Sequence, residues 1–397
     1  MLPRSSLYVF PSDLVDEGVE RVLARVRERG VAAVTVAVAY HQARDVVPRG
    51  KSGRVVHRRD GVFLSLPPEI WQGVRLRPPG QPLAEQDAVT KLRDRAGGDV
   101  LAWTVFLHNT TLGSAFPEVC AETCFGDRLL ADLCPANPDV ADYAVALART
   151  AAAVGPVVAE ALSYGTFDHG HHHERSFVPL GPGERLLMGL CFCVDCRKAA
   201  QAAGVDAERL RAAVAGHLDR ALEGDGPATP ADLPALRAAV GEELDGFLAV
   251  RQGVVTALTR KVAAAVHEDG GELVYLDLTG ALLGYGDGAP EGPAAAEQGW
   301  RLGVDVPALS AVADGYAYLG YVRDVARLRA DVASVVAAAG GRCPVRMVLR
   351  PGHPDTLDAA HLAAKVAACT SAGAAAVDFY NYGMYPAPVL DRIAACW

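Results

Sequence analysis

The sequence predicts an α/β chain closed into a (β/α)8 TIM barrel with two large βα-loop insertions. Eight apolar runs of strand length recur along the 397 residues, nearly continuous rather than alternating, as in parallel strands buried on both faces. Helical patterns with recognisable starts and stops separate them. No Gly-x-Gly-x-x-Gly follows the first run and no Gly-x-x-x-x-Gly-Lys-[Ser/Thr] occurs, so the competing partition, a doubly wound sheet plus a helical domain, lacks its nucleotide-binding signatures.

The elements follow in order. Leu7–Phe10 is the first strand, and Ser12-Asp13 opens an amphipathic helix over Val15–Arg29 that Gly30 stops. Ala33–Tyr40 is the second. Residues 41–98 are too long for a simple βα loop and read as an insertion with a hairpin, Arg54–His57 and Val62–Leu66, joined by Arg59-Asp60-Gly61. Val100–Leu107 and Pro156–Ala161 are strands three and four. Residues 162–271 form a second insertion, a loop followed by helices near Glu184–Ala203, Ala207–Glu223 and Ala231–His267. Glu272–Leu278, Gly315–Leu319, Val345–Leu349 and Ala375–Phe379 complete the barrel, with Asp355 preceding a helix over Ala359–Cys369 and Gly373 shortly after it. All of this reads as one domain, 1–397, and insertions after barrel strands lie over the catalytic mouth.

A formal charge of −9 and no basic block argue against a nucleic-acid or anionic-membrane partner. No eighteen apolar residues run together, and the apolar part of Met1–Phe10 is short for a signal segment, so a cytoplasmic location is the expectation. Nine cysteines in such a chain favour free thiols or a local metal or redox cluster over a disulfide framework. The expected partner is a small or neutral molecule; tyrosines near the C-terminus leave a homo-oligomer open.

Reacting groups in a barrel lie at the C-terminal strand ends. Those ends supply Tyr40, His41, His108, Asn109, Glu160, Tyr164, Asp277, Arg350, Asp378, Tyr380 and Asn381, and the fourth is followed by Asp168 and His169. Carboxylates, amides, imidazoles and Arg pair with sugar hydroxyls, while aromatic rings cover pyranose faces. Glycosidic cleavage needs one carboxylic acid and a second carboxylate. Glu160 is the expected acid and Asp277 or Asp378 its partner; the bland alternative is that these acids cap turns. Tyr40, His41, His108, Asn109, Tyr164, Asp168, His169, Arg350, Tyr380 and Asn381 are the expected substrate-binding set. Arg350 would hold an acidic substrate group or keep Glu160 or Asp378 ionised.

Residues 168–175, Asp-His-Gly-His-His-His-Glu-Arg, carry divalent-metal ligand types, but without a His-Glu-x-x-His helix a catalytic metal is the lesser expectation. Cys191-Phe192-Cys193-x-x-Cys196 is a compact thiol cluster, fit for structural zinc if Cys120, Cys124 or Cys134 supplies a fourth ligand; buried inert thiols are the equal alternative. No other cofactor is expected.

Trp103-Thr104-Val105-Phe106-Leu107-His108-Asn109, Cys134-Pro135-Ala136-Asn137-Pro138 leading into a helix through Tyr143, Glu160, and Leu190-Cys191-Phe192-Cys193-x-x-Cys196-Arg197 together resemble the glycoside-hydrolase-like TIM-barrel proteins. The resemblance spans roughly Val100 to Ala200. It implies a glycosidase-type hydrolase acting on a sugar or glycoside, with the strand-four acid at Glu160. Strand seven, where many such barrels carry a nucleophile, ends here in Arg350. Two other functions compete: a metal-dependent hydrolase or isomerase using the His-rich loop, and a non-catalytic carbohydrate-binding barrel.

Overall fold

The computed structural model describes the whole chain except residues 1, 52, 169–174, 225–227, 285–287 and 291. Eight parallel strands, β1 (Ser6–Val9), β2 (Ala33–Tyr40), β3 (Val100–Val105), β4 (Val157–Glu160), β5 (Leu273–Asp277), β6 (Gly315–Leu319), β7 (Val345–Leu349) and β8 (Ala376–Phe379), pair in chain order. β1 pairs with β2 from Ser6↔Ala33 to Val9↔Val36 and with β8 at Leu7↔Phe379, so the sheet closes into a barrel. The eight apolar runs of the sequence are these strands.

Helices cover the outside. The one over Pro138–Ala152 shows how the sequence places them: the Asn137 side chain accepts hydrogen bonds from the amides of Asp139 and Val140, Pro138 starts the first turn, and Val140, Tyr143, Ala144 and Leu147 are buried. The segment 162–271 carries a smaller core of its own, in which Phe192 and Phe247 stack at 5.1 Å beside Leu210, Val214 and Leu236. Its helices are Pro182–Met188, Val194–Ala202, Ala207–Leu222, Leu233–Val240 and Glu243–Glu268, more finely divided than the periodicity indicates.

Three local expectations change. The helix expected over Val15–Arg29 is two, Pro11–Glu17 and Val19–Glu28, because Gly18 takes φ +89° between them. The expected hairpin does not form. Instead Ala43–Val46 pairs with Val55–Arg58, while Gly61–Val62 turns inward to pair antiparallel with Tyr40 and Ala39 of β2. Asp60 explains the turn: its buried carboxylate accepts hydrogen bonds from Gln42 and from both the amide and the hydroxyl of Thr111. The cap of the helix Ala359–Ser371 is Asp358, whose carboxylate accepts from the His361 amide, and not Asp355.

One element was not anticipated. In the β3–β4 connection Cys120–Glu122 and Arg128–Leu133 form a hairpin. Its second strand lies along the chain leaving β3: the Asn109 amide donates to Ala131 O and the Leu133 amide to Leu107 O, both at 2.9 Å, with Asp132 opposite His108. This hairpin brings Asp132, and just after it Cys134, to the cavity and the thiol cluster described below.

Candidate active site

The C-terminal strand ends open into a cavity of about 380 Å³. Its wall is aromatic: Tyr8, Tyr40, Trp103, Tyr321 and Tyr380 line it. Trp103 is the hub, with Tyr40 at 4.9 Å, Tyr8 at 5.2 Å and Tyr380 at 5.6 Å between ring centroids, all edge to face. The Tyr40 and Tyr380 hydroxyls lie 3.5 Å apart, and His41 stacks on Tyr40 at 4.3 Å.

Glu160, the last residue of β4, lines this cavity. Its carboxyl accepts a hydrogen bond from the Trp103 indole N–H of the neighbouring strand. Burial pushes its pKa up to about 7; the Trp103 bond and the nearby His108 oppose the shift without cancelling it. Ala161, next in the chain, has φ +53° and is the non-glycine residue with positive φ among those described. The chain therefore bends sharply out of β4 at the acid, a backbone cost of the kind that functional sites hold.

Neither acid expected to partner Glu160 reaches the cavity. Asp277 is fully buried and accepts from the Tyr316 hydroxyl at 2.7 Å and from the Thr279 amide and hydroxyl at 2.8 and 2.6 Å, so it closes the turn after β5. Asp378 is clasped by Arg346 through Nε at 3.0 Å and Nη2 at 2.7 Å, with the Ser6 hydroxyl at 2.8 Å. That pair is a satisfied ionic contact between β7 and β8, the geometry a buried charge requires.

Three other carboxylates line the cavity: Asp45, Asp132 and Asp168. Asp45 is bound by Arg58, and Asp168 by Arg185 at 2.6 Å. Asp132 has no Lys or Arg partner among the described residues; it faces His108, with Oδ1 3.6 Å from Nδ1. His108 stands edge-on to His41 at 4.7 Å. Gly165 makes this approach feasible, because a Cβ there would collide with the Asp132 carboxylate. Glu160, His108 and Asp132 thus form one polar cluster, His108 acting electrostatically on the first and lying beside the second.

Of the expected binding residues, Tyr40, His41, His108, Tyr164, Asp168 and Tyr380 line the cavity. Asn109, Asn381 and Arg350 do not. Asn109 caps the helix Thr110–Ala115 by accepting from the Leu112 amide at 2.8 Å, and Asn381 accepts from the Gly383 amide at 2.9 Å. Arg350 donates to Asp355, which Lys365 also binds at 2.9 Å, and its guanidinium stacks 4.0 Å from the Tyr321 ring. Its carboxylate partner is Asp355 rather than Glu160 or Asp378. His169, with the rest of the His-rich run at 169–174, lies outside the described residues.

The thiol cluster is completed by Cys134, at the end of the unanticipated hairpin. The sulfurs of Cys134, Cys191, Cys193 and Cys196 all lie within 4.8 Å of one another and are buried. Cys134 is 3.5 Å from Cys193 and from Cys196 and 3.7 Å from Cys191. A tetrahedral tetrathiolate with metal–sulfur bonds of about 2.3 Å needs sulfur separations of about 3.8 Å. Backbone amides are aimed at the cluster as well: Glu122 donates to the Cys191 sulfur at 3.4 Å and Cys196 to the Cys193 sulfur at 3.5 Å. These are the outer contacts that stabilise thiolate ligands. The Tyr164 hydroxyl, 3.3 Å from the Cys196 sulfur, joins the cluster to the cavity wall. Cys120 and Cys124 stay outside it, their thiols pushed by burial up to about 12 and about 11.

No protein-family model matches the sequence, and no curated protein matches it. Similar folds are found among solved structures. The catalytic domain of β-amylase from Paenibacillus polymyxa superposes with a TM-score of 0.57 at 12% identity, over 99% of this chain and 98% of that one. The β-galactosidase from the psychrophilic Marinomonas ef1 superposes with a TM-score of 0.52 at 13% identity, over 98% of this chain; the chain spans 58% of that protein. Among the described residues, no helix is long and apolar enough to cross a membrane.

Proposed function

From the premise of a glycoside-hydrolase-like TIM barrel, we propose that this protein hydrolyses a glycoside, with Glu160 as general acid and Asp132 together with His108 as the complementary base. The observation that carries the proposal is the Glu160 carboxyl at the end of β4 inside an aromatic-walled cavity, hydrogen-bonded to Trp103, where burial raises its pKa to about 7. An acid of that strength is poised to give its proton at neutral pH. In the proposed reaction the sugar seats against Trp103 and the surrounding tyrosines. Glu160 protonates the glycosidic oxygen as the bond to the anomeric carbon breaks. A water adds to that carbon, and its proton passes to His108, whose imidazolium Asp132 stabilises.

Asp132→Asn tests the base. Turnover of a glycoside is expected to fall by about 10²-fold or more, with substrate affinity little changed, and the His108→Asn variant should lose a similar factor. If Asp132→Asn turned over at the wild-type rate, the base would have to be sought elsewhere in the cavity. Sugar binding without product release in the wild type would instead favour the non-catalytic barrel.

The cysteine cluster serves this site as a structural support in the same proposal. Cys134, Cys191, Cys193 and Cys196 would hold a zinc ion, which would supply cross-linking and no reacting atom. Through these cysteines the hairpin carrying Asp132 would be tied to the segment after β4, with Tyr164 linking the cluster to the cavity wall.

A further inference from the structure

A second pocket of about 310 Å³ adjoins the cavity and shares Gly165, Thr166, Asp168 and Leu282 with it. Three arginines line it: Arg185, Arg251 and Arg301. Arg185 is neutralised by Asp168. The other two have no carboxylate partner among the described residues. Arg251 is 1% exposed, and its guanidinium lies over the Tyr164 ring at 4.3 Å. Its Nη1 donates to the carbonyl of Arg301 at 3.3 Å, while Nε has no hydrogen-bond partner. Arg301 donates from Nη2 to the Ala231 carbonyl at 2.6 Å, and its Nε is also without a partner. Neither guanidinium is within ion-pair distance of a described carboxylate.

Arginine is seldom fully buried unless paired, because an uncompensated charge in a protein interior is costly. The sulfurs of the cysteine cluster lie in the field of Arg251 and offset part of its charge. Arg301 is half-buried, and the longer-range field of Asp232 is what offsets its charge. Two arginines that line one pocket without a carboxylate partner among the described residues suit an oxyanion, which a guanidinium binds through its N–H groups.

We propose that this pocket is an anion subsite that receives a phosphate, sulfate or carboxylate carried by the molecule bound in the main cavity. The substrate class is therefore an anionic sugar derivative. The position of the pocket rests on the structure alone, whereas its link to substrate rests on the glycosidase proposal.

Thermal unfolding of the full chain in sodium phosphate, sulfate and acetate, against chloride at equal ionic strength, reads the subsite directly. At least one oxyanion should raise the midpoint by several degrees, and the one that does identifies the group. Arg301→Gln should reduce the shift at least fivefold, and Arg301→Lys, which keeps the charge but not the fork, should retain part of it and report on folding. Glu160→Gln should leave the shift intact, so a failed glycosidase assignment and a failed anion subsite give different results. Among aryl glycosides, those bearing the preferred anion should be favoured over neutral ones, and that preference should drop at least tenfold in Arg301→Gln. No shift with any of the three oxyanions, or an equal shift in Arg301→Gln, overturns the proposal.

Discussion

Glu160→Gln is expected to lower turnover of a glycoside with a poor leaving group by about 10²–10⁴-fold, the usual share of a general acid, and to make the protein more stable at pH 8. The two effects have one cause. Burial raises the Glu160 pKa from the ordinary 4.5 to about 7. The folded state therefore binds this proton more tightly than the unfolded chain, and the associated stability is complete below pH 4.5 and lost as pH rises to 7. Above that range wild type carries a half-buried carboxylate that costs up to about 3 kcal/mol, less where cavity water screens it. Gln retains the shape and the acceptor for the Trp103 indole without the charge. Its midpoint should exceed that of wild type by a few degrees at pH 8, with the gap closing at pH 4.5. Activated aryl glycosides, which need little protonation, should suffer far less. In wild type, kcat/KM should decline tenfold per pH unit above about 7 as the acid ionises. Equal loss on all leaving groups, or no stability gain at pH 8, would remove Glu160 from the acid role.

Loss of the proposed zinc should be felt first as stability and then as activity. Structural zinc sites contribute about 10 kcal/mol or more of apparent binding free energy in small domains, and even a fraction of that is a large share of the stability of a typical protein. Cys134→Ser is expected to release the ion and lower the thermal midpoint by about 10 °C, while Cys120→Ser, outside the cluster, should retain one zinc per chain. Mass spectrometry under native conditions gives the stoichiometry. Cobalt substitution should produce the thiolate charge-transfer bands of a four-sulfur tetrahedral site. Because Cys134 lies two residues beyond Asp132 and Tyr164 bridges to the cavity, the metal-free protein should also bind sugar more weakly. A wild-type protein purified without metal and indifferent to chelators would show the cysteines to be inert core thiols.

Periodicity exposed the barrel because parallel strands are buried on both faces. Runs such as Ala33–Tyr40 and Val345–Leu349 are apolar from end to end and stand out against the helices. The acid at the end of β4 was legible for the same reason: a carboxylate closing a buried strand is conspicuous. The partner proposed for it was not. Asp132 sits on a hairpin strand whose pairing with the chain after β3 is a tertiary contact, so nothing within a few residues distinguishes it from the solvated acids around it. The aspartates that did stand out, Asp277 and Asp378, lie on strands, and there the sequence could not reveal the Arg346 clasp or the Tyr316 and Thr279 hydroxyls that consume them. Arg350 misled in the same way, since Asp355 five residues on claims it. The cysteine cluster was half legible: the Cys-x-Cys-x-x-Cys spacing is local, but choosing Cys134 over Cys120 and Cys124 required knowing how the hairpin folds back.

The titration of the Glu160 carboxyl, followed by carbon-13 NMR with the Glu160→Gln spectrum as the assignment control, tests the central claim most directly. A resonance that titrates near pH 7 and disappears in the variant is the predicted result. A Glu160 carboxyl that titrates between pH 4 and 5, like a solvated glutamate, would contradict a protonated acid in this cavity and with it the proposed hydrolysis.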